Sequence, residues 1–103
     1  MYHMYMIDVS TMTEFEWDKG NLDKSYKKHG ITPNVAEEIF LDENLVIQTD
    51  INHAQGEERY IAIGKTGESI ILFVIFTVRV WKIRIISARR ANKKERNVYE
   101  KTA

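Results

Sequence analysis

The side chains of this 103-residue chain that could bind an anion are concentrated near its C-terminal end. From Arg79 onward there are nine basic residues and only two acidic ones, a net charge of +7. The preceding 78 residues contain six basic and thirteen acidic residues, a net charge of −7, so the whole chain is neutral. A basic segment on a neutral protein indicates contact with a polyanion or with an acidic protein surface.

Arginine is well suited to holding a phosphate, because its forked guanidinium is always charged and can bind two phosphate oxygens at once. Alternation along a strand can place Arg59 and Arg84 on the sheet face opposite the core, and Arg89 and Arg90 follow closely in sequence. Surface salt bridges are the alternative for each arginine taken singly. Further cations could hold phosphates without reading sequence, or receive an acidic partner segment: Arg79, Lys93, Lys94 and Arg96.

The candidates for proton transfer are His53, Glu57 and Glu58, with His29 and Tyr99 less favoured. His53 lies in a polar stretch and titrates near neutral pH, so it could act as a base or as an acid. Glu58 lies beside Arg59, whose positive charge could poise it as a base. Solvated surface positions are the alternative for both residues. Tyr99 is a weaker candidate, because it is expected to pack with Val98.

Composition excludes several other classes of site. The three histidines are scattered along the sequence and the chain has no cysteine, so we expect no metal site and no cofactor. The longest apolar run, Ile70 to Phe76, is far shorter than the roughly 20 residues that span a bilayer. Residues 1–12 contain His3 and Asp8 and lack a positive leader, so a secretion signal is not expected. A cytoplasmic protein without membrane contact is therefore expected.

The N-terminal half predicts one strand and two helices. We expect a single domain over residues 12–103, preceded by an N-terminal extension, residues 1–11, that could be disordered. Residues 14–17 alternate as a half-buried strand does. A first helix is expected from Asp18 to Gly30, and Thr32-Pro33 is typical of the start of a second helix.

The C-terminal half predicts four strands and a last helix. The strands are expected at 45–48, 59–63, 69–77 and 82–87, and the third of these is apolar on both faces, as a covered central strand would be. Asn92 and Glu95 match a capping box, so a C-terminal helix is expected from about Lys93. Arg89 and Arg90 then lie at the junction between strand and helix, where functional side chains are often displayed.

An ordered series of short motifs runs along most of the chain, and its longest block is Ile83 to Ala91. The others are Phe15-Glu16-Trp17-Asp18, Lys28-His29-Gly30, Phe40-Leu41-Asp42, Gly56-Glu57-Glu58-Arg59-Tyr60, Ile63-Gly64, Glu95-Arg96 and Tyr99-Glu100. Each single motif recurs by chance, but the ordered series is specific. Over nearly all of residues 14–101 the chain resembles the BrnT toxin family.

The resemblance implies an α+β, RelE-like fold, with a mainly antiparallel β-sheet, two N-terminal helices packed on it and a short C-terminal helix. It also implies a ribonuclease toxin that cleaves RNA without a metal, inhibits translation and is neutralised by a BrnA-like ribbon-helix-helix antitoxin. Toxin and antitoxin would form a hetero-oligomer that binds operator DNA through the antitoxin. The alternative is a non-catalytic module that binds RNA or acts as a co-repressor with the antitoxin.

Metal-independent RNA cleavage needs a base for the 2′-hydroxyl, an acid for the departing 5′-oxygen and fixed positive charge at the transition state. On this interpretation the catalytic candidates are His53, Glu58, Arg59, Arg84 and Arg89. The candidates for RNA binding are Arg79, Arg90, Lys93, Lys94 and Arg96. Which residue would be the base and which the acid stays open.

The chain departs from the family pattern at three places. Asn21 and Ser25 stand where many relatives carry a lysine and an asparagine, which keeps the non-catalytic alternative open. Val80-Trp81 replaces the polar turn expected between the last two strands, and so places an aromatic side chain near a hairpin tip. Residues 1–11 have no counterpart in the pattern.

Overall fold

A five-stranded β-sheet forms the centre of the fold. The computed structural model describes residues 14–17, 28–50 and 58–102. The strands are β1 (Glu14–Trp17), β2 (Val46–Thr49), β3 (Tyr60–Lys65), β4 (Ile71–Arg79) and β5 (Lys82–Arg90), in the sheet order β1-β5-β4-β3-β2. β1 runs parallel to β5, and the other neighbouring pairs are antiparallel. The expected α+β class with a mainly antiparallel sheet is confirmed, whereas the RelE-like assignment stays a prediction.

Several sequence predictions fall outside the described residues. These are the N-terminal extension, most of the first helix after Asp18, and the polar loop that contains His53. At the end of the first helix, Lys28 and His29 are helical. Gly30 has a φ of 71°, the left-handed conformation in which helices commonly end.

Two helices are described over their whole length. Helix α1 (Pro33–Glu38) continues into a 3-10 turn (Ile39–Leu41), and helix α2 (Lys93–Thr102) follows β5. At the start of α1 the Thr32 hydroxyl accepts a hydrogen bond from the Val35 N–H at 3.4 Å, as the Thr-Pro pair predicts. Among the described residues, no helix is long and apolar enough to cross a membrane.

The predicted capping box at the start of α2 is confirmed. The Asn92 N–H donates to Glu95 Oε1 at 2.9 Å, and the Glu95 N–H donates back to Asn92 Oδ1 at 2.9 Å. Two backbone N–H groups that lack helical partners are thereby satisfied by side chains. The start of α2 is fixed by contacts within four residues, which explains why sequence alone located it.

Both faces of β4 are covered, as its apolar sequence predicts. Leu72, Val74 and Phe76 are fully buried in the main core cluster, which also contains Ala36 and Ile39 of α1 and the 3-10 turn. Ile71 and Phe73 alternate to the other face and pack with Tyr99 of α2 and its neighbours. The sheet therefore lies between α1 on one side, here called the α1 face, and α2 on the other, the α2 face.

Close contact between the 3-10 turn and β3 requires a glycine at position 64. A Cβ atom built on Gly64 would lie 2.8 Å from Leu45 Cδ1 and 2.9 Å from Ile39 Cβ, distances that packed atoms do not tolerate. Leu45 and Ile39 are both fully buried, so neither can move into solvent to make room.

Gly64→Ala is therefore expected to lower the free energy of unfolding by about 1–3 kcal/mol, the usual cost of overpacking a core. In a domain of this size that loss lowers Tm by roughly 5–20 °C, which thermal unfolding followed by circular dichroism would measure. Gly67→Ala is the matched control, because its added Cβ would meet only a side-chain oxygen of Glu38, at 3.2 Å. Equal Tm values for Gly64→Ala and the wild type would contradict this account of the packing.

The end of β5 corrects one sequence prediction. The strand was expected to stop at Ser87, with Arg89 and Arg90 in the following junction, but it continues through Arg90. The extra residues are strand because β4 is long enough to pair with them: Phe73 lies opposite Arg89 and Leu72 lies opposite Arg90.

Candidate active site

A β-bulge decides which side of the sheet the candidate arginines occupy. Arg84 lies opposite Thr77 of β4, and Arg89 lies opposite Phe73. Thr77 and Phe73 are four residues apart and share a face, whereas Arg84 and Arg89 are five apart and would be on opposite faces in a regular strand. The pairing shifts between Ile75 and Phe76, which leaves Ile86 as an extra residue on β5. The bulge thus brings Arg84 and Arg89 onto the same face, the α2 face.

Arg59 directly precedes β3 and also lies on the α2 face. Tyr60 packs in the main core on the α1 face and lies opposite Phe76, so alternation places Arg59 on the α2 face, level with Thr77. Two strand spacings then separate the backbones of Arg59 and Arg84, a distance of about 10 Å. Arg59 is half-buried, and its carbonyl accepts a hydrogen bond from the Asp50 N–H at 2.8 Å. Three candidate arginines therefore lie on one face.

The guanidinium of Arg89 is held by a carboxylate. Its two terminal nitrogens donate to the two oxygens of Glu95 at 2.8 Å each, and its Cζ lies 4.2 Å from the centre of the Phe73 ring. The side chains are 35% and 16% exposed, respectively, so the ion pair is partly shielded from water. Hydrogen bonding to Glu95 raises the pKa of Arg89. Burial alone would raise the pKa of Glu95, but the bonds from Arg89 and the Asn92 backbone lower it.

Arg89 consequently connects β5 to the first turn of α2. Glu95 has two structural tasks, since the same carboxylate also accepts the capping bond from Asn92. A phosphate that approaches Arg89 must share its N–H groups with Glu95 or displace that carboxylate. Arg89 and Glu95 are only six residues apart in sequence, and this short spacing is the signal that could have indicated their ion pair.

Glu58 contacts Tyr60 rather than the candidate arginines. Its Oε2 accepts a hydrogen bond from the Tyr60 hydroxyl at 2.5 Å. Burial, together with the bond to Glu58, raises the pKa of Tyr60 to about 12. Because the Tyr60 ring is part of the core on the α1 face, this contact does not join Glu58 to Arg84. His53 lies outside the described residues, so the structure does not assign the proton-transfer groups.

The expected RNA-binding cations divide into two groups. Arg79 is exposed at the end of β4 next to the hairpin, whereas Lys93, Lys94 and Arg96 are exposed on α2. Because β5 spans about 26 Å from Lys82 to Arg90, the two groups lie at opposite ends of the sheet. Arg96 also donates to the Ala91 carbonyl at 2.8 Å, and so helps to close the start of α2. Arg90 is exposed opposite Leu72, on the α1 face.

Sequence reasoning missed a polar cluster between α2 and the 3-10 turn, in which Tyr99 is buried and Asp42 is half-buried. The Tyr99 hydroxyl donates to Asp42 Oδ2 at 2.6 Å, and the Lys65 N–H donates to the same oxygen at 2.8 Å. The Asn44 N–H donates to Asp42 Oδ1 at 2.9 Å. Burial alone would raise the pKa of Asp42, but these three bonds bring it below its ordinary value. Burial, together with Asp42, raises the pKa of Tyr99 to about 12, so Tyr99 is protonated at neutral pH.

A family model described as the ribonuclease toxin BrnT of type II toxin-antitoxin systems matches residues 17–95. The chain belongs to the BrnT family. The matched residues include the three arginines of the α2 face and the Glu95 that holds one of them. The BrnT family is a family of ribonuclease toxins, so this assignment supports ribonuclease activity and implies an antitoxin partner.

The crystal structure of the Brucella abortus ribonuclease toxin BrnT is similar to this BrnT-family chain. It is 27% identical, superposes with a TM-score of 0.57 and covers 79% of this chain and 100% of its own. No curated protein matches the chain. Among residues 14–17, 28–50 and 58–102, no group of three carboxylate or imidazole side chains is arranged to hold a metal ion.

Proposed function

We propose that this protein is a metal-independent endoribonuclease toxin that inhibits translation in the cytoplasm. The observation that carries the proposal is the β-bulge at Ile86, which brings Arg84 and Arg89 onto the α2 face with Arg59. Fixed guanidinium groups can stabilise the negative charge that develops on a phosphate during cleavage. The family match supplies the class of substrate, since its description is that of a ribonuclease toxin.

Arg84 is the arginine to which we assign the main transition-state role. It lies between Thr77 on β4 and Glu16 on β1, in the interior of the sheet, where a rigid backbone fixes its position. Arg59 would bind the same phosphate group from about 10 Å away across the strands. The 2′-hydroxyl of the RNA is the proposed nucleophile. His53 is the proposed proton-transfer group, because Glu58 accepts a hydrogen bond from Tyr60, whose ring lies on the α1 face.

We further propose that a BrnA-like ribbon-helix-helix antitoxin neutralises the toxin by covering this cationic face. An acidic segment of the antitoxin would compete with RNA for the same arginines, so inhibition would be direct. The resulting hetero-oligomer would bind operator DNA through the antitoxin. The fold of the toxin would then be RelE-like, with the described α1 as the second of its two N-terminal helices.

The ion pair between Arg89 and Glu95 favours a second candidate function. Because that guanidinium is already neutralised, the chain could be a non-catalytic module that binds RNA or acts as a co-repressor beside the antitoxin. Asn21 and Ser25, which depart from the family pattern, are consistent with lost activity. Binding of RNA without any cleavage would support this candidate over the first.

The purified protein is expected to cleave single-stranded RNA in the presence of a chelator. If the 2′-hydroxyl attacks, the products end in a 2′,3′-cyclic phosphate or a 3′-phosphate, which gel mobility after phosphatase treatment distinguishes from a 3′-hydroxyl. RNA with a 2′-O-methyl group at every position is the control and should remain intact. Cleavage that is abolished by the chelator and restored by magnesium would contradict the proposed mechanism.

A further inference from the structure

The turn between β4 and β5 is built from residues that suit it poorly. Arg79 pairs with Lys82, which leaves Val80 and Trp81 as a two-residue hairpin turn. Their φ angles are 49° and 64°, so both are in the left-handed region. Such turns favour Asn-Gly, because these residues adopt positive φ at little cost. A β-branched valine and a bulky tryptophan are unusual there, and each strains the backbone.

Burial does not compensate for this strain. Val80 is 86% exposed and Trp81 is 75% exposed, so neither contributes much to the core. Backbone preference and the hydrophobic effect therefore both favour a small polar pair at this turn. Strained, exposed residues of this kind indicate a role outside folding.

The side chains around the turn are cationic. Arg79 and Lys82 form the strand pair directly beneath it, and Arg84 lies two residues further along β5. Lys82 Nζ lies 3.3 Å from a Glu14 oxygen and 3.8 Å from a Glu16 oxygen. These ion pairs are largely exposed, where such pairs are weak, so a phosphate can compete for the lysine. An exposed aromatic ring among cations fits a ligand with both planar bases and phosphates.

We propose that Trp81 is a stacking site for a base of single-stranded RNA, with Arg79 and Lys82 holding the flanking phosphates. The inference rests on the proposed function, because it places this site next to the cleavage site. Trp81 and Arg84 are three residues apart, or about 10 Å along β5. A strand whose scissile phosphate lies at Arg84 can therefore place a nearby base on Trp81.

The distribution of apolar surface favours RNA over a protein partner at this turn. Leu41 is the other large apolar side chain that is strongly exposed among the described residues. Leu41 follows α1 and lies near Lys65, the last residue of β3. Lys65 pairs with Ile71 at the start of β4, whereas the turn follows the end of β4, so Leu41 and Trp81 lie at opposite ends of the sheet. A stable protein interface needs roughly 1,000 Å² or more of contact, whereas stacking needs one accessible ring.

Tryptophan fluorescence can test the stacking directly. The chain has two tryptophans, Trp17 and Trp81, so a Trp17→Phe variant reports on Trp81 alone. A 2′-O-methyl RNA oligonucleotide, which cannot be cleaved through its 2′-hydroxyl, is expected to quench this fluorescence. Inorganic polyphosphate carries the charge without the bases, and it should bind without comparable quenching. Equal quenching by both polyanions, or by neither, would overturn the inference.

Affinity for the same oligonucleotide supplies the second readout. Trp81→Ala is expected to weaken binding by about 5- to 100-fold, the usual loss for one stacked base. Trp81→Phe should retain most of the affinity, because it keeps a ring. The double change Val80→Asn with Trp81→Gly should lose affinity as Trp81→Ala does, yet raise Tm by several degrees, since it relieves the strained turn.

The outcomes separate this inference from the proposed function. If Trp81→Ala binds the oligonucleotide as tightly as the wild type, the stacking site is wrong, while cleavage of unmodified RNA by the wild type still supports the ribonuclease. If the wild type neither binds nor cleaves RNA, both fail. If Trp81→Ala retains RNA affinity but loses binding to the antitoxin, the turn is a protein contact and the inference is overturned.

Discussion

Replacing Arg84 by alanine is expected to lower the turnover of RNA cleavage by about a hundredfold or more, the loss usually seen when a preorganised transition-state group is removed. The affinity for uncleavable RNA should change little, because the contact strengthens as negative charge develops at the phosphate. Single-turnover cleavage at saturating RNA measures the first quantity, and fluorescence anisotropy of a labelled 2′-O-methyl oligonucleotide measures the second.

The substitution removes a half-buried strand residue, so its effect on folding has to be separated from its effect on chemistry. Arg84→Lys keeps the charge and much of the side-chain length but lacks the forked guanidinium, and an intermediate turnover is expected. Circular dichroism and Tm establish that each variant is folded. Lys101→Ala is a matched control, since it removes an exposed cation of α2 that belongs to neither candidate set.

Arg89 and the lysines of α2 should behave differently from Arg84. Arg89→Ala leaves Glu95 without its bidentate partner, so a lower Tm is expected alongside any loss of activity. Lys93→Ala with Lys94→Ala should weaken RNA binding and reduce its salt dependence, because both residues are exposed cations. If Arg84→Ala also changes only affinity, the α2 face is a binding surface and the non-catalytic candidate function is favoured.

The sequence separation between interacting residues explains which features of the fold could be predicted from sequence. The caps at Thr32 and Asn92 depend on residues three positions away, and both helix starts were located. The alternation of β4 likewise identified it as a covered central strand. The bulge at Ile86 is different, because it depends on how β5 pairs with β4.

Long-range contacts account for the rest of the differences. β1 pairs in parallel with β5, about 70 residues further along the chain, and its own sequence predicts a strand but no partner. The sequence predicts that β5 ends at Ser87 because Arg89 and Arg90 are polar, whereas their strand conformation depends on pairing with Phe73 and Leu72. The separation of Arg84 from Glu58 could not be predicted either, since it follows from the hydrogen bond that joins Glu58 to Tyr60.

Asp42 and Tyr99 are 57 residues apart in sequence, and the hydrogen bond between them is expected to contribute strongly to stability. Asp42→Ala removes the acceptor of the Tyr99 hydroxyl and of the Lys65 and Asn44 N–H groups. Leaving such donors without a partner costs about 2–4 kcal/mol in total, because Tyr99 is buried. Tm should fall by roughly 10–20 °C. Tyr99→Phe removes one of the three bonds, so a smaller decrease is expected.

The same pair should make stability depend on pH at both ends of the scale. The pKa of Asp42 is lower in the folded protein than its ordinary value of 3.8, so the unfolded chain takes up a proton first as the pH falls. The contribution of Asp42 is therefore complete above pH 3.8 and is lost below it. The pKa of Tyr99 is raised from 10.0 to about 12, so its contribution is complete below pH 10 and is lost between about pH 10 and 12.

Urea unfolding of wild type, Asp42→Asn and Tyr99→Phe between pH 3 and pH 11 would test this dependence. The difference in unfolding free energy between wild type and Asp42→Asn should be largest near neutral pH and should shrink below pH 3.8. Tyr99→Phe should remove only part of the alkaline loss, because Tyr60 also has a pKa raised to about 12. Glu100→Gln, an exposed change one residue from Tyr99, is the control. A difference between wild type and Asp42→Asn that stays constant from pH 7 to pH 3 would show that the Asp42 carboxylate is not stabilised by these bonds.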